Sequence, residues 1–495
     1  KITMRIIGNN PQLSRQTQGT ASGAITGGKP VLVNTNGTVS EIIEVTQALG
    51  SEVVFESAAT KYPAVTFDSN SNRVVIAYMD EGNSNYGTAI VGTISGTSVS
   101  YGTAVVFESA TSKPIKSTFD SNSNKIVIIY RDGGNGNFGT AIVGTVDSSD
   151  NSISFGTPVV FSPTGGAGIG EELAVTFDSN SNKVVVAYVD GAASDIGKAI
   201  VGTVDSSDNS ISFGTAVTFE NANITSSETI GLVFDSNSNK VVISYRDNGN
   251  SQYGTAIVGT VSGTGISFGS PVVFLSATNN YIESTFDSTN NKVVIVYTNG
   301  GASDHGYAIV GTVSGTGISF GTQVEFRNAD QRYNAIAFDS AVGKVVISFR
   351  EDDDSGKGKL VVGTVSGTGI SFGDPVEFNG GATTFINSTF DSFNNRVIIT
   401  YKDGGNSGYG TSIIFANAVP TNLTSENFIG FAEDTVATGQ PVTINTKGAI
   451  DENQSSLTPA QQYFVQTDGT LGTSADDPSV VAGTAVTATK LIVKG

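Results

Sequence analysis

The chain contains no cysteine and no tryptophan, and only one histidine and two methionines among 495 residues. Without cysteine it can form neither a disulfide nor a thiolate-ligated metal site, so stability must come from packing and from closure of its sheets. The redox compartment is left undetermined, because extracellular proteins also fold without disulfides. Only 14% of the residues are charged, and 45 acids against 26 bases give a formal net charge of -19. That balance repels nucleic acid and anionic membrane surfaces, and no run of Lys and Arg reverses it locally. No apolar run approaches the roughly 18 residues of a membrane span, so no membrane insertion is expected. The opening residues Lys1-Ile2-Thr3-Met4-Arg5 lack the apolar centre of a signal peptide, and a start without Met reads as processed, tagged or incomplete.

What the chain has instead is glycine and repetition. Sixty Gly with few charges suit short strands joined by tight turns better than helices. A Phe-Asp pair recurs at Phe67-Asp68, Phe119-Asp120, Phe177-Asp178, Phe234-Asp235, Phe286-Asp287, Phe338-Asp339 and Phe390-Asp391, at spacings of roughly 52 to 58 residues. Within the second copy, residues 115–120, 125–130, 139–146 and 152–161 read as four strands. They are separated by Ser121-Asn-Ser-Asn124, Asp132-Gly-Gly-Asn-Gly-Asn137 and Asp147-Ser-Ser-Asp-Asn151, whose residues tolerate positive φ or cap their own turns. Four antiparallel strands in such a period match one propeller blade, whereas a β-helix rung needs far fewer residues. The second strand, as in Val184-Val-Val-Ala-Tyr188, is apolar on both faces, which a blade covered on either side requires.

The strand count predicts how the ring closes. An outer-strand Phe occurs at Phe55, Phe107, Phe161, Phe219, Phe274, Phe326 and Phe378, and the first of these precedes the first Phe-Asp pair. The last third strand, Gly410-Thr-Ser-Ile-Ile-Phe-Ala416, has no outer strand after it, so Glu52-Val-Val-Phe55 is expected to supply it and remove the free edges. The fold class is therefore all-β: a seven-bladed propeller of four-stranded antiparallel blades over residues 51–418, closed by an N-terminal strand. Residues 1–50 and 419–495 are expected to build a small β-module together. Their strings Gly28-Lys-Pro-Val-Leu-Val-Asn-Thr-Asn-Gly37 and Gly439-Gln-Pro-Val-Thr-Ile-Asn-Thr-Lys-Gly448 align, each a strand followed by a turn ending in Gly. Residues 462–471 read as a hairpin and 490–494 as a terminal strand. Packing on the propeller and docking to a larger assembly are both open roles for this module.

Two sets of turns carry candidate sites. In the first, Asp68, Asn70 and Asn72, and likewise Asp120, Asn122 and Asn124, put oxygen side chains at the first, third and fifth positions, as calcium loops do. The sixth position is Arg73 or Lys125 and no bidentate Glu follows, so binding would be weak. The same residues favour tight turns for local hydrogen-bonding reasons, and the sixth copy, Asp339-Ser-Ala-Val-Gly-Lys344, keeps the turn without the ligands. Weak calcium binding is thus the one cofactor expectation. In the second set, between the second and third strands, an acid precedes an aromatic ring: Asp80 and Tyr86, Asp132 and Phe138, Asp247 and Tyr253, Asp403 and Tyr409, with Asp190 in a ring-less copy. Copies five and six run from Asn299 to His305 and from Asp352 to Lys357. A carboxylate beside a ring suits sugar hydroxyls and the apolar face of a pyranose, and several weak copies on one rim give avidity. Turn chemistry explains these loops equally well.

Catalysis finds little support in the residues. His305 has no recognisable triad partner in sequence. Arg131, Arg246, Arg350 and Lys402 occupy equivalent positions, and an arginine cluster would suit a sialidase propeller. Such enzymes also need a central nucleophile and acid, and their Asp-box turns carry a Trp that is missing here. Each base stands before an acid, as in Arg131-Asp132, so local charge balance is the simpler reading.

The strings Phe-Asp-Ser-Asn-Ser-Asn-Lys-Val-Val-Ile and Gly-Thr-Ala-Ile-Val-Gly-Thr-Val-Ser-Gly-Thr resemble the propeller repeats of virion structural and tail-fibre proteins of marine and cyanobacterial tailed phages. The segment from Ser455 through Leu471, with Pro478-Ser-Val-Val-Ala-Gly-Thr-Ala485 and Lys490-Leu-Ile-Val-Lys-Gly495, is similar to the C-terminal module of such proteins. Together these cover most of the chain. The resemblance implies a non-enzymatic tail fibre, spike or capsid decoration at the virion surface. It also implies other virion proteins and a host-surface glycan as partners, and a homo-oligomer, for fibres a trimer. A secreted, extracellular bacterial lectin-like or matrix adhesin is the rival reading, and a glycan hydrolase the third.

Overall fold

The computed structural model describes residues 15–44, 46–162, 168–224, 230–419 and 421–494. The first residues of the chain, read above for a signal peptide, lie outside these. The chain divides into two compact units, one spanning Ala48–Ala416 and the other combining Lys1–Gln47 with Asn417–Gly495.

The larger unit is a closed ring of seven antiparallel blades. In blade two, Lys125–Asp132 lies between the axial part of Val105–Asp120 and Phe138–Asp147, with Lys125 opposite Asp120 and Asp132 opposite Phe138. The outer strand, expected as one run, is two short pieces: Ser152–Phe155 pairs with one end of Phe138–Asp147 and Val159–Ser162 with the other. The break falls at Gly156-Thr157-Pro158, where proline has no amide to give the ladder. At four described crossings the outer strand of one blade runs straight on as the inner strand of the next, so Val105–Asp120 serves blades one and two, whereas Val376–Asn379 of blade six ends before Thr383–Asp391 of blade seven begins.

Packing between blades supplies the core. Val74 through Met79 are at most 3% exposed, because a blade covers each face of this middle strand. Among the described residues, seven apolar clusters fill the seven interfaces. One joins Val75 and Ala77 to Ile126 and Ile128; the cluster at the seam joins Ile398 and Ile414 of blade seven to Val74 and Ile76 of blade one.

The N-terminal strand completes blade seven: Val53 and Val54 pair with Ser412 and Thr411, and Ser412 Oγ donates to the Val53 carbonyl at 3.2 Å. The ring begins at Ala48 because Ala48 and Leu49 also pair, with Ala416 and Phe415, as the first piece of that broken outer strand. Both exits, Ala48 and Ala416, therefore lie at the end of blade seven opposite Tyr409.

The second unit has two five-stranded sheets. One runs in the order Gln16–Thr20, Pro441–Asn445, Phe428–Ala432, Pro30–Val33, Val39–Glu41, with two C-terminal strands inserted between N-terminal ones. The other holds the expected hairpin, with Val465 opposite Leu471, and the terminal strand Lys490–Val493. Leu32, Phe428, Phe431, Val465, Val480 and Leu491 form the core of this unit. The aligned flank strings do not pair with each other; each pairs with the strand that precedes the other. Gly19 faces Val442 and Val31 faces Gly430, while Ile25 and Val436 bridge at the centre, which makes the two halves a quasi-twofold pair.

Candidate functional site

The first set of turns is self-contained. Asp68 Oδ1 accepts from the amides of Asn70 and Ser71 at 2.9 and 3.1 Å, and Asp120 Oδ1 from those of Asn122 and Ser123 at 2.9 and 3.0 Å. Both aspartates are 2% exposed, and Asn72 and Asn124 end the turn at φ of 54° and 56°. Arg73 reaches across to the Asn151 side chain and the Ser148 carbonyl of the next blade. Among the described residues no group of three or more His, Asp or Glu is placed to hold a metal ion.

The second set lies on the opposite face, beside the crossings between blades. Asp80, Asp190, Asp247 and Asp403 each cap a single 3-10 turn, accepting from the amides of Asn83, Ala192, Asn250 and Gly405. Asp132 accepts likewise from the Gly134 amide, in a turn that has no 3-10 segment. Capping turns four of these carboxylates inward: Asp80, Asp132, Asp190 and Asp403 are 8%, 7%, 0% and 5% exposed, while Asp247 stays half-buried. The paired rings Tyr86, Phe138, Tyr253 and Tyr409 stay half-buried at the starts of the third strands and remain the apolar part of each turn. In blade six the equivalent position is Glu351, one residue earlier than the sequence spacing indicated. Its longer side chain makes no cap and instead meets Arg327 and Lys359.

The basic residues do not converge. Arg131 approaches Glu171 of blade three at 3.6 Å, Lys402 bonds to Glu81 of blade one at 2.7 Å, Arg246 bonds to Asn248 and Asn280, and Arg350 pairs with Asp352. Charge balance thus runs mostly between blades, because the acid following Arg131 is occupied as a cap. Burial raises the Glu81 carboxyl, but hydrogen bonds from Lys402 and Lys61 outweigh it and hold the group below its ordinary value. His305 Nδ1 lies 2.7 Å from Glu325 Oε1.

The axial channel holds the feature that reading the sequence missed. Lys116 on the inner strand of blade two bonds to Glu283 on that of blade five at 2.7 Å, so an ion pair spans the channel. Two cavities meet there, sharing Lys116, Glu283 and Asn387 as a common wall. The one toward the Phe-Asp turns, about 540 Å³, is lined by hydroxyls such as Ser117, Thr176 and Thr389 and by Phe67, Phe119, Phe177 and Phe390.

The other cavity is a mouth on the face of the capped turns, and Tyr62 and Phe385 border it. Tyr62 packs against Phe385 at 4.7 Å between centroids, Phe385 against Tyr333 at 5.4 Å, and Tyr333 against Tyr281 at 5.1 Å, with the ring planes tilted by 54°, 53° and 48°, giving one continuous arc over four blades. All four rings are half-buried, and all four backbones are left-handed, with φ of 52°, 53°, 55° and 50° for Tyr62, Phe385, Tyr333 and Tyr281. The inner strand is bulged at each, for instance between Lys61 and Ala64. Pro114 and Glu172 stand at the matching positions of blades two and three. There the rim becomes charged: Glu171 meets Lys113 at 2.9 Å and the Tyr62 hydroxyl at 3.5 Å. The arc leaves a signal in sequence, since each ring stands five positions before a repeat Phe, visible once the repeats are superposed.

No protein-family model and no curated protein sequence matches the chain. Among solved structures, the BP39L lectin of Burkholderia pseudomallei is similar at a TM-score of 0.50 and 12% identity, covering 77% of this chain and 100% of that one. The periplasmic gluconolactonase PpgL of Pseudomonas aeruginosa has a TM-score of 0.47 at 10% identity over 74% of this chain and 96% of its own. Sqt1 of Saccharomyces cerevisiae has 0.43 at 11% over 81% and 99%. At these identities the lectin likeness concerns the fold alone, which is the propeller described above.

Proposed function

We propose that this protein is a non-enzymatic, lectin-like propeller that a tailed-phage virion carries, as tail fibre, spike or capsid decoration, to attach to host-surface glycans. The observation that carries the reading is the gathering of half-buried rings on one face of a rigid ring, at the end opposite both chain exits. Rings in that setting offer the apolar platform that pyranose faces need, backed by polar groups for hydroxyls. A lectin among the structures of similar fold and the phage-like repeat strings support the same reading. On this reading the unit built from both termini attaches the ring to other virion proteins, within a homo-oligomer for which a trimer is the expectation.

The test has two parts. A glycan array and binding to intact host cells should show saturable attachment without release of reducing sugar, and labelled antibody should decorate intact particles. Binding without particle labelling would favour a secreted bacterial adhesin; sugar release would make the protein a hydrolase.

A further inference from the structure

We infer that the aromatic arc of Tyr62, Phe385, Tyr333 and Tyr281 is a sugar platform that takes one neutral pyranose chain per ring. This rests on the glycan-binding reading and narrows it from a seven-fold rim to a single site. Three observations converge. Bulky side chains at φ near +50° are strained, and four blades keep this strain at one position while placing rings there. The bulges fall at those rings, Tyr62 and Phe385 line the channel mouth, and the contacts among all four make one surface, whereas the rim acids cap their own turns. The floor is the ion pair of Lys116 with Glu283, whose oxygens and ammonium can meet hydroxyls at the edge of a stacked ring.

Charge selects the ligand class. Lys116, Glu171, Glu172 and Glu283 line the charged half of the mouth, and Lys113 and Arg131 both reach Glu171 from beside it, which brings three cations to three carboxylates. A ligand with net charge of either sign would have to disturb this balance, and a neutral pyranose would not. Among the described residues the arc occupies four of the seven blades, so ring symmetry does not multiply the site.

Calorimetric titration of the full chain tests this. The probes are linear tetrasaccharides of glucose, galactose, mannose and N-acetylglucosamine, with tetragalacturonate and tetraglucosamine as anionic and cationic counterparts. A neutral probe should bind at one per chain with little dependence on salt, and charged counterparts roughly tenfold more weakly. Phe385→Ala and Tyr333→Ala should each weaken it about tenfold or more, Tyr62→Phe should retain it, and the rim double variant Tyr86→Ala with Tyr253→Ala should leave it within about twofold. Variants that melt like the parent give the comparison its meaning. A stoichiometry near seven, loss with the rim variant but not the arc variants, or preference for a charged probe would overturn the platform while leaving glycan binding intact. If the parent binds no sugar at any valency, on the array or in solution, the broader reading fails as well.

Discussion

Tyr401 donates a 2.9 Å hydrogen bond to the Glu52 carboxylate, 349 positions earlier in the chain, and so ties the middle strand of blade seven to the strand that seals the ring. Burial and the adjacent negative charge push the Tyr401 hydroxyl far above the ordinary tyrosine value, which keeps it a donor. Tyr297 makes the corresponding bond to the neutral Gln323 at 2.7 Å. Tyr401→Phe should lower stability by roughly 1.5–3 kcal/mol, and Tyr297→Phe by roughly 0.5–1.5 kcal/mol, because only the first deprives a charged acceptor of its partner. Urea denaturation gives both values. A single transition in both variants is expected, and an early separate phase in Tyr401→Phe would mean that the seam opens independently of the ring.

Gly139 begins a third strand directly beneath an outer-strand ring, and a Cβ there would lie 2.5 Å from the Phe161 ring. That ring is held between Tyr188 and Phe213, with centroids 5.5 Å away on each side, and cannot swing clear. Gly139→Ala should therefore destabilise the ring by roughly 1–3 kcal/mol, read as a lower denaturation midpoint.

Asp120→Ala removes the acceptor for two turn amides and should lower stability by roughly 1–3 kcal/mol. Because the carboxylate already serves the turn, millimolar calcium is expected to leave the melting temperature of the parent unchanged. A calcium-dependent rise that Asp120→Ala diminishes would assign these turns to metal binding.

Glu351 gives a pH test. Burial raises its carboxyl, but hydrogen bonds from Arg327 and Lys359 outweigh that and hold it below the ordinary value of 4.5. A depressed folded-state value contributes stability above the unfolded value, and that stability is lost as pH falls through the folded value. Glu351→Gln should therefore be less stable than the parent at neutral pH, by roughly 2 kcal/mol, and the difference should shrink below pH ~4. Equal differences at both pH values would show that the carboxylate charge is not what matters.

Much of the ring was legible because its determinants are local and repeated. Phe119-Asp120 marks a turn that bonds to itself, and residues 126–130 are apolar on both faces because two blades cover them. The rim aspartates were ambiguous for the same local reason. In Asp80 or Asp403 a carboxylate that caps its own turn and one that faces a ligand have the same neighbours in sequence. The arc was hidden because Tyr62 and Tyr333 read as ordinary strand rings, and the positive φ that redirects them depends on a bulge against the middle strand.

The sequence by itself determined the period, the blade, the number of blades and the borrowed strand at the seam, since each follows from hydrophobic pattern, turn chemistry and counting. Only the tertiary structure decided which side chains share the axis. Four rings from separate blades, and an ion pair from blades two and five, meet there because closure of the ring brings distant inner strands around one channel, a proximity that no local pattern encodes.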